Sequence, residues 1–229
     1  MAEATPRLSI IIPAVDDAEC LATTLPALAR LRGAGHEVIV VDGGSRDDTR
    51  SRARCFADRV LVAGRGRGRQ MNAGAAVAKG DVLLFLHADS LLPGDAESAI
   101  AHALTVSCWG RFDVRLSGRE WSFRIIEAFM NLRSRITGIA TGDQAIFVRR
   151  EVFAQVGGFP EIPLMEDVAI SRLLKAIARP ACLRQRVVTS ARRWRVNGIA
   201  RTVILMWRLR LAFALGADPR RLAHRYERG

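Results

Sequence analysis

Acidic residues stand just beyond apolar, strand-like runs at three places in the chain. Asp16 and Asp17 follow LSIIIP, Asp42 closes HEVIVVD, and Asp89 follows DVLLFLHA. An open α/β sheet binds its ligands beyond the carboxyl ends of its strands. Carboxylates gathered there suit a metal ion, a ribose or a base edge better than bare phosphate. Singly, each has a plainer use as a helix or turn cap. Glu166-Asp167 opens a helical run, where the pair can take up a proton or simply complement the helix dipole. Gly64-Arg65-Gly66-Arg67-Gly68-Arg69 offers guanidinium and backbone N–H groups to a diphosphate. The same residues also read as a surface loop.

Several chemistries are excluded. The turn after the first strand, Pro13-Ala14-Val15-Asp16-Asp17, has no glycine, so it is not a Gly-x-Gly-x-x-Gly dinucleotide site. No P-loop, Gly-x-Ser-x-Gly elbow or His-Glu-x-x-His occurs. The Gly/Arg segment is short and lacks interleaved aromatic residues, against RNA binding. The four cysteines fall at no metal-ligand spacing, which predicts small buried hydrophobes.

The elements that must position these residues alternate. Strands are expected at Leu8–Pro13, His36–Asp42, Arg59–Val62 and Asp81–Leu86, with helices at Ala18–Leu31 and Gln70–Lys79 and another after the Asp47–Thr49 cap. This is the pattern of βαβ units, an α/β fold with a mostly parallel sheet flanked by helices. Beyond Pro93 the pattern changes. Helices are expected at Ala96–Leu104, Glu120–Arg135 and Met165–Ile177, and strands at Gly110–Leu116, Gln144–Val148 and Leu183–Val188. The second of these helices carries Trp121, Ile125, Phe129 and Leu132 at helical spacing.

The chain has 229 residues and a formal charge of +12, unevenly placed. Residues 184–229 hold 12 Arg against Asp218 and Glu227, whereas the body is nearly neutral. A basic helical tail is therefore expected over 191–229, behind a body of residues 1–190. The longest stretch free of Asp, Glu, Lys and Arg is Ser98–Gly110, 13 residues, too short to span a bilayer. Met-Ala-Glu-Ala-Thr-Pro runs straight into the first strand and predicts no secretory signal.

In order and spacing, IIPAVDDA (Ile11–Ala18), VVDGGSRDDT (Val40–Thr49), GRGRQMNAG (Gly66–Gly74), GDVLLFLHAD (Gly80–Asp89), PLMED (Pro163–Asp167) and TSARRW (Thr189–Trp194) form one set. It resembles the family 2 glycosyltransferases of the GT-A fold. Within them it is most similar to a small bacterial branch of transferases associated with radical-SAM or selenoprotein genes. The resemblance implies a nucleotide-diphospho-sugar donor and a Mg²⁺ or Mn²⁺ cofactor. It places Pro13, Asp17, Asp42, Arg69 and Asn72 at the nucleotide, Asp89 at the metal, and Asp167 as catalytic base with Glu166 beside it. Asp143, Arg193 and Trp194 fall to the acceptor or donor sugar. Two departures stand out. His87 replaces a common Asp of the metal motif and is either a structural residue or a ligand. Ser190 replaces a Gln, against processive polymer synthesis.

The expected reaction is an inverting, metal-dependent sugar transfer to an acceptor hydroxyl. The cationic tail predicts an anionic membrane surface as partner, hence a lipid-linked or membrane-associated acceptor and a cytoplasmic, peripheral location. Packing on the body or forming a homodimer is the tail's other use. No nucleic-acid partner is expected of the enzyme. The alternative is a degenerate transferase fold serving as a membrane- or nucleic-acid-binding module.

Overall fold

Alternation along the central strands decides which helices cover which face. The computed structural model describes residues 6–228, apart from the side chains of Arg193, Asn197, Glu227 and Arg228. Strands β1 (Leu8–Ala14), β2 (Glu37–Asp42), β3 (Arg59–Val62) and β4 (Val82–Phe85) pair in parallel in the order β3-β2-β1-β4. Ile10, Ile12, Val38, Val40 and Leu84 face one side. There they meet Leu21 and Leu25 of α1 (Ala18–Ala27), Ala53 of α3 (Thr49–Phe56) and Ile100 of α5 (Ala96–Ala103). Ile11, Ile39, Val41, Leu83 and Phe85 face the other. Their partners are Met71 of α4 (Arg67–Val77), Phe153 of α7 (Arg150–Gln155), and Ile170 and Leu174 of α8 (Glu166–Ile177). With apolar cover on both faces, β1 and β2 are buried at every position. Each such side chain contributes roughly 1.5–3 kcal/mol.

The second half of the sheet is mixed. β7 (Phe147–Arg149) runs antiparallel to β4 and to β6 (Trp109–Leu116). β6 pairs in parallel with β8 (Ala181–Thr189), and β5 (Ser90–Leu91) closes the edge antiparallel to β8. The expected strand Gln144–Val148 starts later, because Gly142–Gln144 forms a 3-10 turn held by a Thr141/Gln144 capping box. The expected helix Ala18–Leu31 breaks at Leu28, so that α2 spans Ala29–Gly33. Pro26 lies in its last turn and has no N–H to continue the ladder.

Helix α6 (Trp121–Thr137) turns its bulky stripe away from the sheet. Trp121, Ile125, Phe129 and Leu132 point outward, whereas Phe123, Ile126, Glu127 and Ser134 are buried. The cause is β6. The Leu116 N–H donates to Glu127 Oε1 at 2.7 Å and the Val114 N–H to Asn131 Oδ1 at 2.9 Å. Open backbone donors on that strand demand a polar helix face. The cysteines also depart from expectation. Cys55 is exposed and Cys20, Cys108 and Cys182 are half-buried, all as free thiols.

The tail is three helices, α9 (Arg192–Asn197), α10 (Ile199–Ala214) and α11 (Pro219–Arg228). Leu209 and Leu222 pack on Leu164, Met165 and Val168 at the start of α8, and Arg172 stacks over Phe213 at 5.2 Å. The tail thus folds back onto the body beside the carboxyl ends of the strands. Among the described residues, no helix is long and apolar enough to cross a membrane.

Candidate active site

Backbone strain marks the place. Among the described residues, three non-glycine residues adopt positive φ, namely Asp16 (54°), Ala145 (46°) and Met165 (70°). They follow β1, follow the 3-10 turn and precede Glu166. Such conformations cost roughly 1–3 kcal/mol each and persist where surrounding structure enforces them. Met165 lines a cavity of about 200 Å³, together with Arg67, His87, Asp89, Asp143, Glu166 and Asp167. Trp194, Thr202, Met206, Arg210 and Tyr226 of the tail close it.

Asp89 sits past the end of β4. Among the described residues its Oδ1 accepts long hydrogen bonds, from Ser90 Oγ at 3.4 Å and Thr189 Oγ1 at 3.3 Å. Its charge reaches Asp17 at the start of α1. Burial, and then Asp89, raise the Asp17 carboxyl above its ordinary range, against the Val15 N–H that donates to it at 2.9 Å. His87, two residues before Asp89, is held down to about 3 by burial and by the Arg67 charge, so its imidazole is neutral. A side chain at Gly142 would collide with that ring, so the two cavity walls meet at His87 and Gly142.

The opposite wall carries Glu166-Asp167 at the start of α8. The Gly142 N–H donates to Asp167 Oδ2 at 2.9 Å and the Val168 N–H to Oδ1 at 2.7 Å. Both oxygens are thereby oriented, each with a lone pair left over. Burial and the Asp167 charge push the Glu166 carboxyl up to about 7, despite Arg67. Asp143 is raised by burial, although Thr141 and the Arg210 charge oppose it, and its Oδ1 is buried with no hydrogen-bond partner among the described residues. Arg133 behind it has Nε and Nη2 equally unpartnered. Burial, and then the like charge of Arg210, push its guanidinium down to about 10.

Arg67 bridges the two walls. It opens α4 after Gly66, whose φ of 137° turns the chain. Burial works against its charge, but Glu166, Tyr226, Asp167 and Asp89 outweigh it and hold the guanidinium above its ordinary range.

The cavity thus gathers Asp89, Asp143, Glu166, Asp167 and Trp194 from the sequence reading, and His87 with them. The Arg193 side chain lies outside the described residues. Asp42 is fully buried and folds its own turn, accepting from Gly44 N at 3.2 Å, Ser45 N at 3.1 Å and Ser45 Oγ. Pro13 is buried in β1. Arg69 pairs with Glu161 at 3.1 Å. Asn72 spends its amide on Phe159, donating to its O at 2.8 Å and accepting from its N at 2.9 Å. Sequence reasoning chose Arg69 and passed over Arg67, two residues away. The helix phase that turns Arg67 inward is set by Gly66. It also passed over Met206, Arg210 and Tyr226, whose surroundings in the sequence carry no motif.

A metal fits this donor set only in company. Among the described residues no three His, Cys, Asp or Glu side chains converge as a cage. One weakly bonded carboxylate, Asp89, and one neutral imidazole, His87, can hold a divalent ion whose other ligands arrive with a diphosphate and water.

Comparison with known proteins agrees with this architecture. Residues 9–156 match the family model described as Glycosyl transferase family 2. A "PGL/p-HBAD biosynthesis glycosyltransferase" of Mycobacterium bovis is 31% identical over 169 residues, covering 68% of this chain and 64% of the relative. A "Validoxylamine A glucosyltransferase" of Streptomyces hygroscopicus is 32% identical over 46% of this chain and 29% of its own. The chain thus spans somewhat less than two thirds of the first relative. Among solved structures, residues 1–349 of TarS from S. aureus superpose with a TM-score of 0.65 at 20% identity, over 81% of this chain and 60% of that one. The mannosyltransferase PcManGT of Pyrobaculum calidifontis, in complex with GDP-Man and Mn²⁺, gives 0.61 at 23%, over 96% and 69%. These two likenesses show the fold. The matched family stretch, which takes in nearly all of β1, the whole of β2 to β7, Asp89 and Asp143, shows that the chain belongs to glycosyl transferase family 2.

Proposed function

We propose that the chain transfers a sugar, with inversion, from a nucleotide-diphospho-sugar to the hydroxyl of a lipid-linked acceptor. The observation that carries this reading is the split of charge across one cavity. Asp89 stands on one side, the oriented Asp167 with a raised Glu166 stands on the other, and the Arg67 cation acts on both. Support comes from the fold neighbours, solved with UDP-GlcNAc and with GDP-Man and Mn²⁺.

Asp89, with His87 near it, would hold Mg²⁺ or Mn²⁺. Such an ion neutralises charge on the departing diphosphate. The chain's own groups do the rest. The Arg67 guanidinium pairs with phosphate oxygens, where charge grows as the glycosidic bond breaks. Asp167 takes the proton of the attacking hydroxyl. Its two backbone hydrogen bonds hold the carboxylate still, so orientation costs nothing at the moment of attack. Attack from the face opposite the leaving group inverts the anomeric carbon. Asp143 lines the same cavity and its carboxyl is suited to bond a sugar hydroxyl. Thr202, Met206, Arg210 and Trp194 shield the cavity from water, which would otherwise compete as acceptor.

The test is Asp167→Asn. The amide oxygen can still accept from Gly142, so the fold is kept while the base is lost. Donor binding by calorimetry is expected unchanged, and turnover is expected to fall ~10²–10⁴-fold. Near-normal turnover would remove Asp167 from this role. Absence of donor binding in the unaltered chain would favour a degenerate, binding-only fold.

A further inference from the structure

Two helices turn apolar faces to the outside. On α6, Trp121, Phe129 and Ile136 are 76%, 63% and 68% exposed, with Ile125 and Leu132 between them. These five residues lie within about 80° of arc at 100° per residue. On α10, Ile204, Trp207, Leu211 and Leu215 form a second strip, Trp207 being 68% exposed. The two helices are linked through α9, since Phe123 and Ile126 of α6 pack with Trp194 of α9 and with Ile199, the first residue of α10. Isolated exposed apolar residues mean little, but contiguous strips mark an interaction surface.

The charges around the second strip identify its partner. Arg201 and Arg208 run along its edge one heptad apart. Between α10 and α11 lies a groove of about 710 Å³, with Leu205, Leu209 and Ala212 as its floor and Arg201, Arg208 and Arg225 at its rim. Among the described residues, none of these three arginines has an ion pair with a carboxylate. Apolar strips that carry Trp121 and Trp207, the second bordered by these arginines, match the layered chemistry of a bilayer surface, acyl chains below and phosphates above. A second copy of this chain fits worse, because it would bring another tail with 12 Arg and two acids against the first.

We propose that the chain seats itself in the surface of an anionic bilayer on the outward faces of α6 and α10, with lipid phosphates held by Arg201, Arg208 and Arg225. This goes beyond adsorption by charge alone, because side chains of both helices enter the acyl boundary. The inward face of α10, through Thr202, Met206 and Arg210, is the wall of the catalytic cavity. A bilayer on its other face therefore lies one helix diameter, about 10 Å, from the cavity. That consequence for a lipid-linked acceptor rests on the transfer reading above, whereas the seating itself does not.

The experiment needs no substrate, so its failure is separable from failure of the transferase reading. The full chain is mixed with vesicles of phosphatidylcholine alone or with phosphatidylglycerol, with and without brominated acyl chains. Sedimentation and tryptophan quenching are read at low and at 1 M salt. Expected are binding at least tenfold tighter to the anionic vesicles and quenching of tryptophan by the brominated chains. Trp207→Gln with Leu211→Gln should cut binding at least tenfold and reduce the quenching. Trp121→Gln with Phe129→Gln should do the same from the other helix. Arg201→Gln with Arg208→Gln should remove most of the anionic preference, since each arginine near an anionic leaflet strengthens partitioning roughly fivefold. Circular dichroism confirms that each variant is folded. No binding to anionic vesicles, binding without quenching, or binding that neither apolar pair reduces would overturn the proposal. So would self-association in sedimentation velocity that the Trp207/Leu211 pair abolishes.

Discussion

Two sets of carboxylates are treated in opposite ways. At the end of β2, outside the cavity lining, Asp42 is completely buried, yet it accepts from two backbone N–H groups and the Ser45 hydroxyl. At the cavity, Asp143 has a buried oxygen with no hydrogen-bond partner among the described residues and Glu166 is raised to about 7. The hydrogen bonds of the first are complete within its own turn. The second keep polar capacity that their neighbours leave open. A buried polar group costs least when bonded, so unbonded ones at a cavity point to partners that come with the substrate.

Asp89 lies between these extremes, and its removal is the largest expected effect. Asp89→Ala should weaken Mn²⁺-dependent binding of a nucleoside diphosphate by at least ~100-fold, the upper end of what losing even an outer-shell partner of a metal costs. Thermal shift with and without Mn²⁺ reads it. Metal-independent binding, unchanged in the variant, would leave Asp89 with the framework.

Stability should separate Asp42 from the cavity carboxylates directly. Asp42→Ala strands the Gly44 and Ser45 N–H groups, and unfolding in denaturant should lose about 3–5 kcal/mol. Asp143→Asn removes a charge that burial disfavours and should cost less than ~1 kcal/mol or stabilise, while weakening sugar binding. Equal losses at both positions would break the comparison.

Glu166 sharpens it through pH. Its folded pKa of about 7 stands above the ordinary 4.5. For a group raised on folding, the stabilising contribution is complete below pH 4.5 and is lost as pH rises through 7. Glu166→Gln should therefore match the wild type near pH 4 and exceed its stability by roughly 2–3 kcal/mol near pH 8. Urea midpoints at the two pH values check the sign. Arg67 and Asp167 act on Glu166 in opposite senses, so Arg67→Gln should raise its titration further.

How much of this was legible follows the same division. β1, β2 and β4 were readable because runs such as IIIP and VLLF can only be buried strands, and the acids after them stand where such a sheet binds. The second wall was half legible. Glu166-Asp167 announces itself as a pair, but what raises Glu166 is burial, and the Leu164–Met165 segment and tail that supply it meet only in three dimensions. Arg67 was hidden by one glycine's torsion. The spacing of Trp121, Ile125, Phe129 and Leu132 gives the helix α6 but not the direction of its stripe, which faces outward. No sequence pattern reveals that the unpaired N–H groups of β6 claim the polar face instead.

The smallest expected effect concerns the seam where the walls touch. Gly142 has no side chain because the His87 ring occupies that space. Its N–H is also one of the two groups that hold Asp167. Gly142→Ala must push the ring or the turn, and overpacking of this kind costs about 1–3 kcal/mol. Placement of Asp167 should suffer more than donor affinity, so kcat is expected to fall while KM for the donor changes little. His87→Ala makes room for the new methyl. If the seam is purely steric, the double variant should regain part of the loss, a coupling of about 1 kcal/mol in a double-mutant cycle. Additive losses in stability would mean that His87 and Gly142 act independently. Restored stability without restored kcat would show that His87 serves the reaction beyond packing, as a neutral ligand beside Asp89 would.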